Sequence, residues 1–500
     1  MKIYYIFNLI VAMFNIIFLK KFFHIYQLKN YNIKRYFRYF KNKKTLFYFL
    51  CLIVFIFEII FKNIYLYIIF NTILFVIYLF FIKNLIKSSK TPLIFTGKMS
   101  RLYIISIFII LILCYYKFSF VLVLSSCLIL PIIANTINIY DKVKNYNFIK
   151  QAKNKLKNSY TQVIAITGSN GKTSVKNILQ KLLETEHKTQ STPASYNTPI
   201  GIAKFINNEL KKDTEFLILE YGARHKNDIK KLCKIFGADY GIITTLSAQH
   251  LETFKSLKNI YKAKNQLPIF LQNKPCVFNT DNLYTKKMFE EKTQKKISVS
   301  IFSQADIYAQ NIKILNNSTL FELSLKNKPI KLTTQLLGRH NISNICLSAA
   351  LSKSIGISNQ NIVKAIKNLQ PIEHRLQVIK THINIIDDSY NCSPASAKEA
   401  LWVIKNFPNK KMIVTPGIIE CGKEKYNINF QLGKQMAFCD FCVIVGEENK
   451  QALTDGLKSN LKFSPNILFA QTLEDAKTHF KKLKNNDTLL LLNDLPDDYK

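Results

Sequence analysis

The sequence predicts an α/β protein with an N-terminal helical transmembrane region, then a P-loop central α/β domain and a Rossmann-like C-terminal α/β domain. Three observations lead to this. Long apolar runs separated by basic residues fill residues 1–140, short apolar strands alternate with helical patterns beyond residue 158, and a glycine-containing turn joins the first such strand to a helix. A chain of 500 residues is long enough for two or three domains, each with its own core.

Residues 1–140 are both basic and apolar. They hold 17 Lys or Arg and a single acid, Glu58, in a chain whose formal net charge is +38. A helix of about 20 apolar residues crosses a bilayer, so apolar runs between basic clusters favour a membrane over a nucleic acid as the partner. We expect about five transmembrane helices, at Ile3–Leu19, Thr45–Phe61, Ile64–Ile82, Leu102–Tyr116 and Phe118–Ile139.

The distribution of basic residues predicts the orientation of these helices. Residues 20–44 hold nine Lys or Arg and residues 83–101 hold five, whereas the alternate connectors offer little beyond Lys62 and Lys117. By the positive-inside rule the N-terminus lies outside and the basic loops lie inside. We therefore expect a multi-pass protein of the cytoplasmic (inner) membrane, in contact with the lipid bilayer and with the domains beyond residue 140 in the cytoplasm. An uncleaved signal sequence over the first run is the alternative.

The remainder of the chain reads as two α/β domains. Residues 141–157 are Lys-rich and polar, as in a juxtamembrane helix or linker, and the two series of strands divide near Pro371. We expect a central domain over 158–371 and a C-terminal domain over 372–500, each with a mostly parallel sheet covered by helices. The expected strands are 163–167, 216–220, 240–245 and 276–279, then 383–386, 412–415, 441–445 and 488–492.

The ten cysteines are scattered through the chain. Cys439 and Cys442 have C-x-x-C spacing, but no second pair stands in metal-ligand register with them. Buried free thiols in a reducing compartment are therefore favoured over a metal site.

The run from Ile164 to Val175, I-A-I-T-G-S-N-G-K-T-S-V, has the pattern of a strand, a phosphate-binding loop and a helix. Glycines let backbone N–H groups approach an anion, and the start of a helix adds its dipole. Ile166 stands where the strict P-loop pattern has its first glycine, so the loop is a variant. We predict a nucleoside triphosphate site formed by Gly168, Ser169, Asn170, Gly171, Lys172, Thr173 and Ser174.

Two further residues are expected beside this loop. Glu220 ends one predicted strand and His250 follows another, which places both at the carboxyl edge of the sheet. An acid at that edge can hold Mg²⁺ directly or through water. Taken alone, each is equally well explained as a surface acid or a structural histidine, and spacing alone gives Lys264 no role beyond that of a solvated lysine.

Six motifs in one order are similar to those of the Mur ligases, ATP-dependent amide-forming enzymes of cell-wall synthesis. The resemblance covers about residues 158–446. The motifs are the phosphate loop, Glu220-Tyr-Gly-Ala, Ala248-Gln-His-Leu-Glu252 with Ala263-Lys264, Leu337-Gly-Arg-His-Asn-Ile-Ser-Asn344, Glu373-His-Arg-Leu376 and Ile386-Asp-Asp-Ser-Tyr-Asn-Cys-Ser-Pro394.

Within the family, Glu220-Tyr-Gly222 and Ile386–Pro394 resemble the members that join D-alanyl-D-alanine to UDP-N-acetylmuramoyl-tripeptide. The D-N-P-R run expected of the ligase that adds the third peptide residue is missing from the sequence. The resemblance implies an ADP-forming carboxylate–amine ligase of peptidoglycan precursor synthesis that works through an acyl phosphate, with ATP and Mg²⁺ as cofactors and no nucleic-acid partner.

The resemblance also implies roles for single residues. Lys172 contacts the β- and γ-phosphates, and Lys264 becomes a carbamate that can bind metal where an ammonium cannot. The implied catalytic residues are Lys172, Glu220, His250 and Lys264, and the implied metal ligands are Thr173, Glu220, His250 and Lys264. Further nucleotide contacts are implied for Asn344, Arg375 and Asp388. Substrate contacts are implied for Asn197, Thr198, Tyr390 and Asn391.

The sequence departs from the family in three places, and in one of them, Pro416-Gly-Ile-Ile-Glu-Cys-Gly422, only part of the expected pattern remains. Residues 1–140 replace the usual N-terminal substrate-binding domain, and Leu492-Asn-Asp-Leu495 stands where a K-G-S run is usual. A membrane-bound Mur-like ligase that makes poly-γ-glutamate is the main alternative, although it would be expected to show E-C-M in place of Glu220-Tyr-Gly222. An ATP-driven transporter would carry L-S-G-G-Q, which this sequence lacks, and a nonenzymatic scaffold would not need the intact phosphate loop.

Overall fold

The computed structural model describes residues 13, 16, 19–28, 31, 33, 36, 93–115, 119–193, 196–247, 251–293, 295–315, 317–325, 328–389, 392–419, 421, 424–460 and 462–493. The chain divides into two compact units, residues 1–146 and residues 147–500.

The first unit contains helix α1 (Gly97–Tyr115) and the beginning of the long helix α2 (Ser119–Lys157). Asp141 of α2 pairs with two basic residues near the start of α1, at 3.7 Å from Lys98 and 3.0 Å from Arg101. Residues 141–157, expected as a linker or helix, therefore continue α2 without a break.

The transmembrane prediction is wrong, because among the described residues no helix combines the length and the apolar character needed to cross a bilayer. The expected multi-pass location in the cytoplasmic membrane depends on those transmembrane helices, so it is wrong as well. The last two expected spans fall on α1 and α2, whose limits differ from those of the apolar runs: α1 opens with Lys98 and Arg101, and α2 continues into Lys-rich sequence. The runs at 45–61 and 64–82, and most of that at 3–19, lie outside the described residues.

The second unit contains a nine-stranded sheet in the order β2-β3-β1-β4-β5-β6-β7-β8-β9. The strands from β2 to β7 in this order are parallel neighbours, and β7, β8 and β9 are antiparallel. The strands are β1 (Gln162–Thr167), β2 (Thr189–Ser191), β3 (Phe216–Glu220), β4 (Tyr240–Ile243), β5 (Cys276–Asn279), β6 (Lys296–Ser300), β7 (Ile307–Leu315), β8 (Ser318–Ser324) and β9 (Ile330–Thr334).

Successive side chains of a strand point to opposite sides of the sheet. Both sides of this sheet carry apolar side chains, and helices cover both. Ile164 and Ile166 of β1 pack in one core with α3, α10 and α11, while Val163 and Ala165 pack in another with α4, α5, α7 and α8. The helices are α3 (Lys172–Leu183), α4 (Pro199–Asn208), α5 (Asp228–Phe236), α6 (Leu251–Phe254), α7 (Leu257–Lys264), α8 (Gln266–Leu271), α9 (Leu283–Glu291), α10 (Arg339–Ile355) and α11 (Asn359–Lys367).

A second sheet of six strands follows, in the order β10-β11-β15-β12-β13-β14, with β10 antiparallel to its neighbour and the others parallel. Its strands are β10 (Gln377–Lys380), β11 (Asn384–Asp388), β12 (Lys411–Thr415), β13 (Phe441–Val445), β14 (Asn466–Ala470) and β15 (Thr488–Leu492). Its helices are α12 (Pro394–Lys405), α13 (Lys425–Met436), α14 (Lys450–Lys458), α15 (Leu473–Lys477) and a 3₁₀ turn (Thr478–Lys482).

The α/β part of the expected fold class is confirmed, since each of the eight expected strands coincides with an observed strand to within two residues at either end. The additional strands are β2, β6 to β9, β10 and β14. Cys439 and Cys442 are buried free thiols in the core of the C-terminal half, as expected.

Candidate functional site

The phosphate loop lies between β1 and α3, as the sequence indicates. Gly168 and Gly171 adopt positive φ angles of 151° and 83°. A Cβ atom on Gly168 would overlap the Thr244 hydroxyl, and one on Gly171 would lie 2.8 Å from Asn344 Oδ1. Both positions therefore require glycine, for backbone conformation and for space.

The segment that follows β4 holds this loop in place. Ser169 N donates to Thr245 O at 2.6 Å, and Thr244 Oγ1 donates to Asn170 O at 2.6 Å. Ser247 N donates to Ser169 Oγ at 3.1 Å. The sequence analysis did not identify Thr244, Thr245 or Ser247. Their position directly after an expected strand that ends beside the loop was the available signal.

Two lysines converge on the same carbonyl of the loop. Lys172 Nζ and Lys264 Nζ each donate to Gly168 O at 2.8 Å, and Lys172 also donates to Ser169 O at 3.0 Å. Burial lowers the pKa of Lys264 well below its usual range, and the neighbouring Lys172 ammonium lowers it further. Burial also lowers the pKa of Lys172, an effect that the Glu220 carboxylate partly opposes. An amine with a lowered pKa is more often neutral near pH 7 and is then a nucleophile.

Glu220 ends β3 and is buried beside the loop, with 1% of its surface exposed. Its Oε1 lies 3.1 Å from Lys176 Nζ, an ion pair between two buried side chains. The geometry of this contact is not that of a hydrogen bond, so among the described residues Oε1 has no hydrogen-bond partner. The sequence analysis did not identify Lys176, because a lysine within an amphipathic helix is ordinarily exposed.

A cavity of about 480 Å³ opens over the loop. It is lined by six of the expected site residues, namely Gly168, Ser169, Lys172, Asn197, Thr198 and Lys264. Thr198 caps helix α4 by accepting from Gly201 N at 3.3 Å, and Asn197 O accepts from Gly222 N at 3.2 Å. These contacts hold the 196–199 segment against the end of β3.

The cavity wall also contains basic side chains that the sequence analysis did not single out. Arg224, His225 and Lys231 line it, all from the segment and helix that follow β3. They stand just after the Glu220-Tyr-Gly-Ala motif, so their place in the sequence was a usable signal. Arg224, Lys231 and Lys172 outnumber the one acidic lining residue, Asp228, so the cavity suits anionic ligands.

Arg375 and Asp388 come from the C-terminal half. Burial lowers the pKa values of Lys172 and His340, and the Arg375 guanidinium lowers both further. Asp388 ends β11 and accepts from Leu376 N at 3.3 Å. Burial raises the pKa of Asp388 to about 7, against the opposing effects of that hydrogen bond and of Arg375.

Asp388→Asn is expected to stabilise the protein above pH 7 and to have little effect near pH 4. A carboxyl whose pKa is raised on folding contributes stability that is present below its unfolded pKa and is lost as pH rises through the folded pKa. The difference in unfolding free energy should grow to about 2–4 kcal/mol between about pH 4 and pH 8. Urea unfolding of both proteins across this range measures it.

Asp213→Asn is the control. Its change in unfolding free energy with pH should have the opposite sign, because the hydrogen bond to Lys188 lowers the pKa of the exposed Asp213 carboxyl. A difference for Asp388→Asn that is constant with pH would contradict the raised pKa.

Beside Arg375, His374 Nδ1 lies 2.8 Å from Asp387 Oδ2, and Ser389 Oγ donates to Asp387 Oδ1 at 2.6 Å. His374 has a φ of 60°, so this network fixes a turn that carries Arg375. In the sequence, His374 is visible only as part of the Glu373-His-Arg-Leu376 motif.

A contact between the two sheet-containing halves lies at the start of α10. Arg339 forms a two-pronged ion pair with Glu399 of α12, with Nη2 2.8 Å from Oε1 and Nε 3.3 Å from Oε2. Its guanidinium also lies 4.5 Å from the ring centroid of Trp402. Planar pairing and stacking of this kind constrain the orientation of the Arg339 guanidinium as well as its distance from Glu399 and Trp402.

Of the remaining expected residues, Thr173 and Ser174 lie in the first turn of α3, Thr173 partly exposed and Ser174 buried. His250, Tyr390 and Asn391 lie outside the described residues.

The site also fits a magnesium ion. The described residues include no group of three or more His, Cys, Asp or Glu that could hold a metal. Mg²⁺, however, is commonly held by one or two carboxylates together with substrate phosphates and water. Glu220, a buried carboxylate at the end of β3 beside the loop, supplies one such carboxylate.

Two family models match the chain over its α/β halves. The Mur ligase middle domain matches residues 166–352, and the Mur ligase, glutamate ligase domain matches residues 374–493, which together exceed half of the chain. The chain belongs to the Mur ligase family. The first match spans the phosphate loop, Glu220, Lys264 and Asn344, and the second spans Arg375 and Asp388.

Two curated relatives are named UDP-N-acetylmuramoyl-tripeptide–D-alanyl-D-alanine ligase. The one from Buchnera aphidicola is 36% identical over 265 residues, covering 52% of this chain and 57% of the relative. The one from Escherichia coli is 29% identical over 296 residues, covering 58% of this chain and 65% of the relative. The matched region thus spans less than two thirds of either relative.

Solved structures share the fold. The MurF ligase from Thermotoga maritima in complex with ADP has a TM-score of 0.64 at 23% identity, covering 71% of this chain and 81% of that chain. MurF from Acinetobacter baumannii has a TM-score of 0.62 at 24% identity, covering 70% of this chain and 77% of that chain.

Proposed function

We propose that the protein is an ATP-dependent, ADP-forming ligase that joins D-alanyl-D-alanine to UDP-N-acetylmuramoyl-tripeptide in peptidoglycan precursor synthesis. The names of the two curated relatives supply the substrates. They do not favour the poly-γ-glutamate alternative.

The observation that carries the proposal is the convergence of Lys172 and Lys264 on the Gly168 carbonyl, beside the buried Glu220. A phosphate loop alone would suit many nucleotide-binding proteins. A second, buried lysine at the same carbonyl, with a strongly lowered pKa and next to a buried carboxylate, distinguishes this site from a phosphate loop alone.

The chemistry follows from the substrates. A peptide carboxylate is a poor electrophile near pH 7, so its oxygen first takes the γ-phosphoryl group of ATP, which gives an acyl phosphate and ADP. The amine of D-alanyl-D-alanine then adds to the acyl carbon, and phosphate leaves through a tetrahedral intermediate as the amide forms. Lys172 stabilises the charge that builds on the phosphoryl oxygens in the first step.

Thr173 and Glu220 would hold Mg²⁺, with His250 at a second ion, and the metal would supply charge neutralisation for the phosphates. Lys264 would act as a carbamate: its neutral amine adds to CO₂ and releases one proton, which leaves a carboxylate that can bind metal. The lowered pKa of Lys264 and the adjacent Lys172 ammonium both favour that product.

The remaining residues bind and orient the substrates. Asn344 packs against Gly171 and would contact the nucleotide, with Arg375 and Asp388 reaching it from the C-terminal half. Asn197 and Thr198, at the cavity wall, would bind the muramoyl-peptide, with Tyr390 and Asn391 assigned to the substrate by motif alone.

The test is ADP formation by the purified protein. We expect ADP from ATP only when UDP-N-acetylmuramoyl-tripeptide and D-alanyl-D-alanine are both present, with the joined pentapeptide product detected by mass spectrometry. Glutamate in place of D-alanyl-D-alanine is the matched control. ADP formation that is indifferent to both substrates would refute the proposal, and turnover with glutamate would favour the poly-γ-glutamate alternative.

A further inference from the structure

Lys176 is a buried lysine to which the proposed chemistry gives no role. It lies one helical turn beyond Lys172 on α3, and only 1% of its surface is exposed. Its Nζ donates to Thr192 O at 2.6 Å and lies 3.1 Å from Glu220 Oε1. One ammonium thus joins three elements: α3, the residue that follows β2, and the end of β3.

Stability alone is a weak reason for such a pair. Taking two charges out of water costs free energy that their attraction repays only with good geometry, and a well-packed apolar pair of similar volume is often as stable. Here the lysine end is held by a carbonyl, whereas Glu220 Oε1 has no hydrogen bond among the residues described. The arrangement therefore fixes the position of the Glu220 carboxylate through an ion pair with a lysine that is itself held by a backbone carbonyl.

The direction of the carboxylate matters because of its neighbours. Residue Ile166, two residues before Gly168, pairs with Glu220 in the parallel register of β1 and β3. Glu220 is also close enough to Lys172 to raise its pKa against the effect of burial. A carboxylate free to rotate could instead pair with Lys172, which would withdraw the phosphate-binding ammonium from the cavity.

We propose that Lys176 is a positioning residue that holds the Glu220 carboxylate in place beside the phosphate loop, available to a magnesium ion and away from Lys172. The inference rests on the proposed use of a magnesium nucleotide. Lys176 acts through Glu220 and contacts neither nucleotide nor substrate.

The test is the metal dependence of ADP binding, measured by calorimetry with Mg²⁺ and with EDTA. Lys176→Met should weaken binding of ADP with Mg²⁺ by about tenfold or more and leave binding in EDTA within about twofold. In the Glu220→Gln background, Lys176→Met should cause no further loss of affinity for ADP with Mg²⁺, because the carboxylate that Lys176 positions is already absent. Lys181→Met, an exposed position on the same helix, should change neither affinity.

Lys176→Gln serves if the methionine variant does not fold, since its amide can still donate to Thr192 O. The same loss of metal dependence is expected from it. Equal weakening with Mg²⁺ and with EDTA, or additive losses in the Glu220→Gln background, would show a merely structural role and overturn the inference. ADP binding needs no peptide substrate, so this result is separate from the outcome of the ligase assay.

Discussion

Lys172→Ala is expected to lower substrate-dependent ADP formation by about 10³-fold while the protein remains folded. Its ammonium is the charge nearest the bend of the phosphate loop, where it donates to Gly168 O and Ser169 O. Removal of one preorganised group that stabilises transition-state charge costs about 10²- to 10³-fold, and a full positive charge stands at the upper end. Steady-state rates with saturating substrates measure the loss.

Folding should not suffer from this change, because burial already disfavours the charged form of Lys172. The unfolding temperature without nucleotide should therefore be unchanged or slightly higher, whereas the rise caused by ATP should shrink. Lys181→Ala is the control on the same helix, at a lysine whose side chain is 66% exposed. Retention of activity within tenfold in Lys172→Ala would mean that this loop does not bind the reacting phosphates.

Lys264→Ala is expected to lower ligase activity by about 10²-fold or more. It should also remove the dependence of activity on CO₂ that we expect of the wild-type protein. Burial keeps the pKa of the Lys264 amine well below its usual range, so the neutral amine that reacts with CO₂ is available near pH 7. Protein freed of CO₂ should lose activity and regain it with bicarbonate. Labelling with ¹³C-bicarbonate should give a carbamate carbon signal that is missing in Lys264→Ala.

Lys262→Ala is the control for the Lys264 experiment, because Lys262 lies on the same helix with its side chain exposed. It should retain activity, CO₂ dependence and the carbamate signal. An unmodified Lys264 in fully active protein would refute carbamylation.

The local signals in the sequence predicted the parts of the structure that depend on few residues. The alternation of β1, phosphate loop and α3 follows from one apolar strand, two glycines and a helical repeat, all within about 20 residues of one another. The central parallel strands are also continuous apolar runs, because both of their faces are covered. Such strands are visible without knowledge of their neighbours.

Other elements depend on partners that sequence patterns do not show. Strands β7 to β9 form the antiparallel end of the first sheet, where polar and apolar side chains mix and the apolar signal is weak. Strand β2 is only the three residues Thr189–Ser191 and is defined by its pairing with β3. In the N-terminal region, apolar composition predicts membrane spans, but helices α1 and α2 begin and end at other residues than the apolar runs.

The residues of the candidate site also divide into those that local sequence signals identify and those that depend on distant contacts. Resemblance to the family supplied Lys264, because no periodicity distinguishes a buried amine from a solvated one. Lys176, Arg224 and the 244–247 segment were missed for the related reason that their roles come from contacts between distant parts of the chain.

Helix α10 contacts both halves of the site from one rigid body. Its first residue, Arg339, holds Glu399 of the C-terminal half, and Asn344, less than two turns later, lies against Gly171 of the phosphate loop. A helix transmits a shift along its length because its backbone hydrogen bonds resist bending. One rigid element therefore carries both the residue that lies against the phosphate loop and the residue that pairs with the C-terminal half.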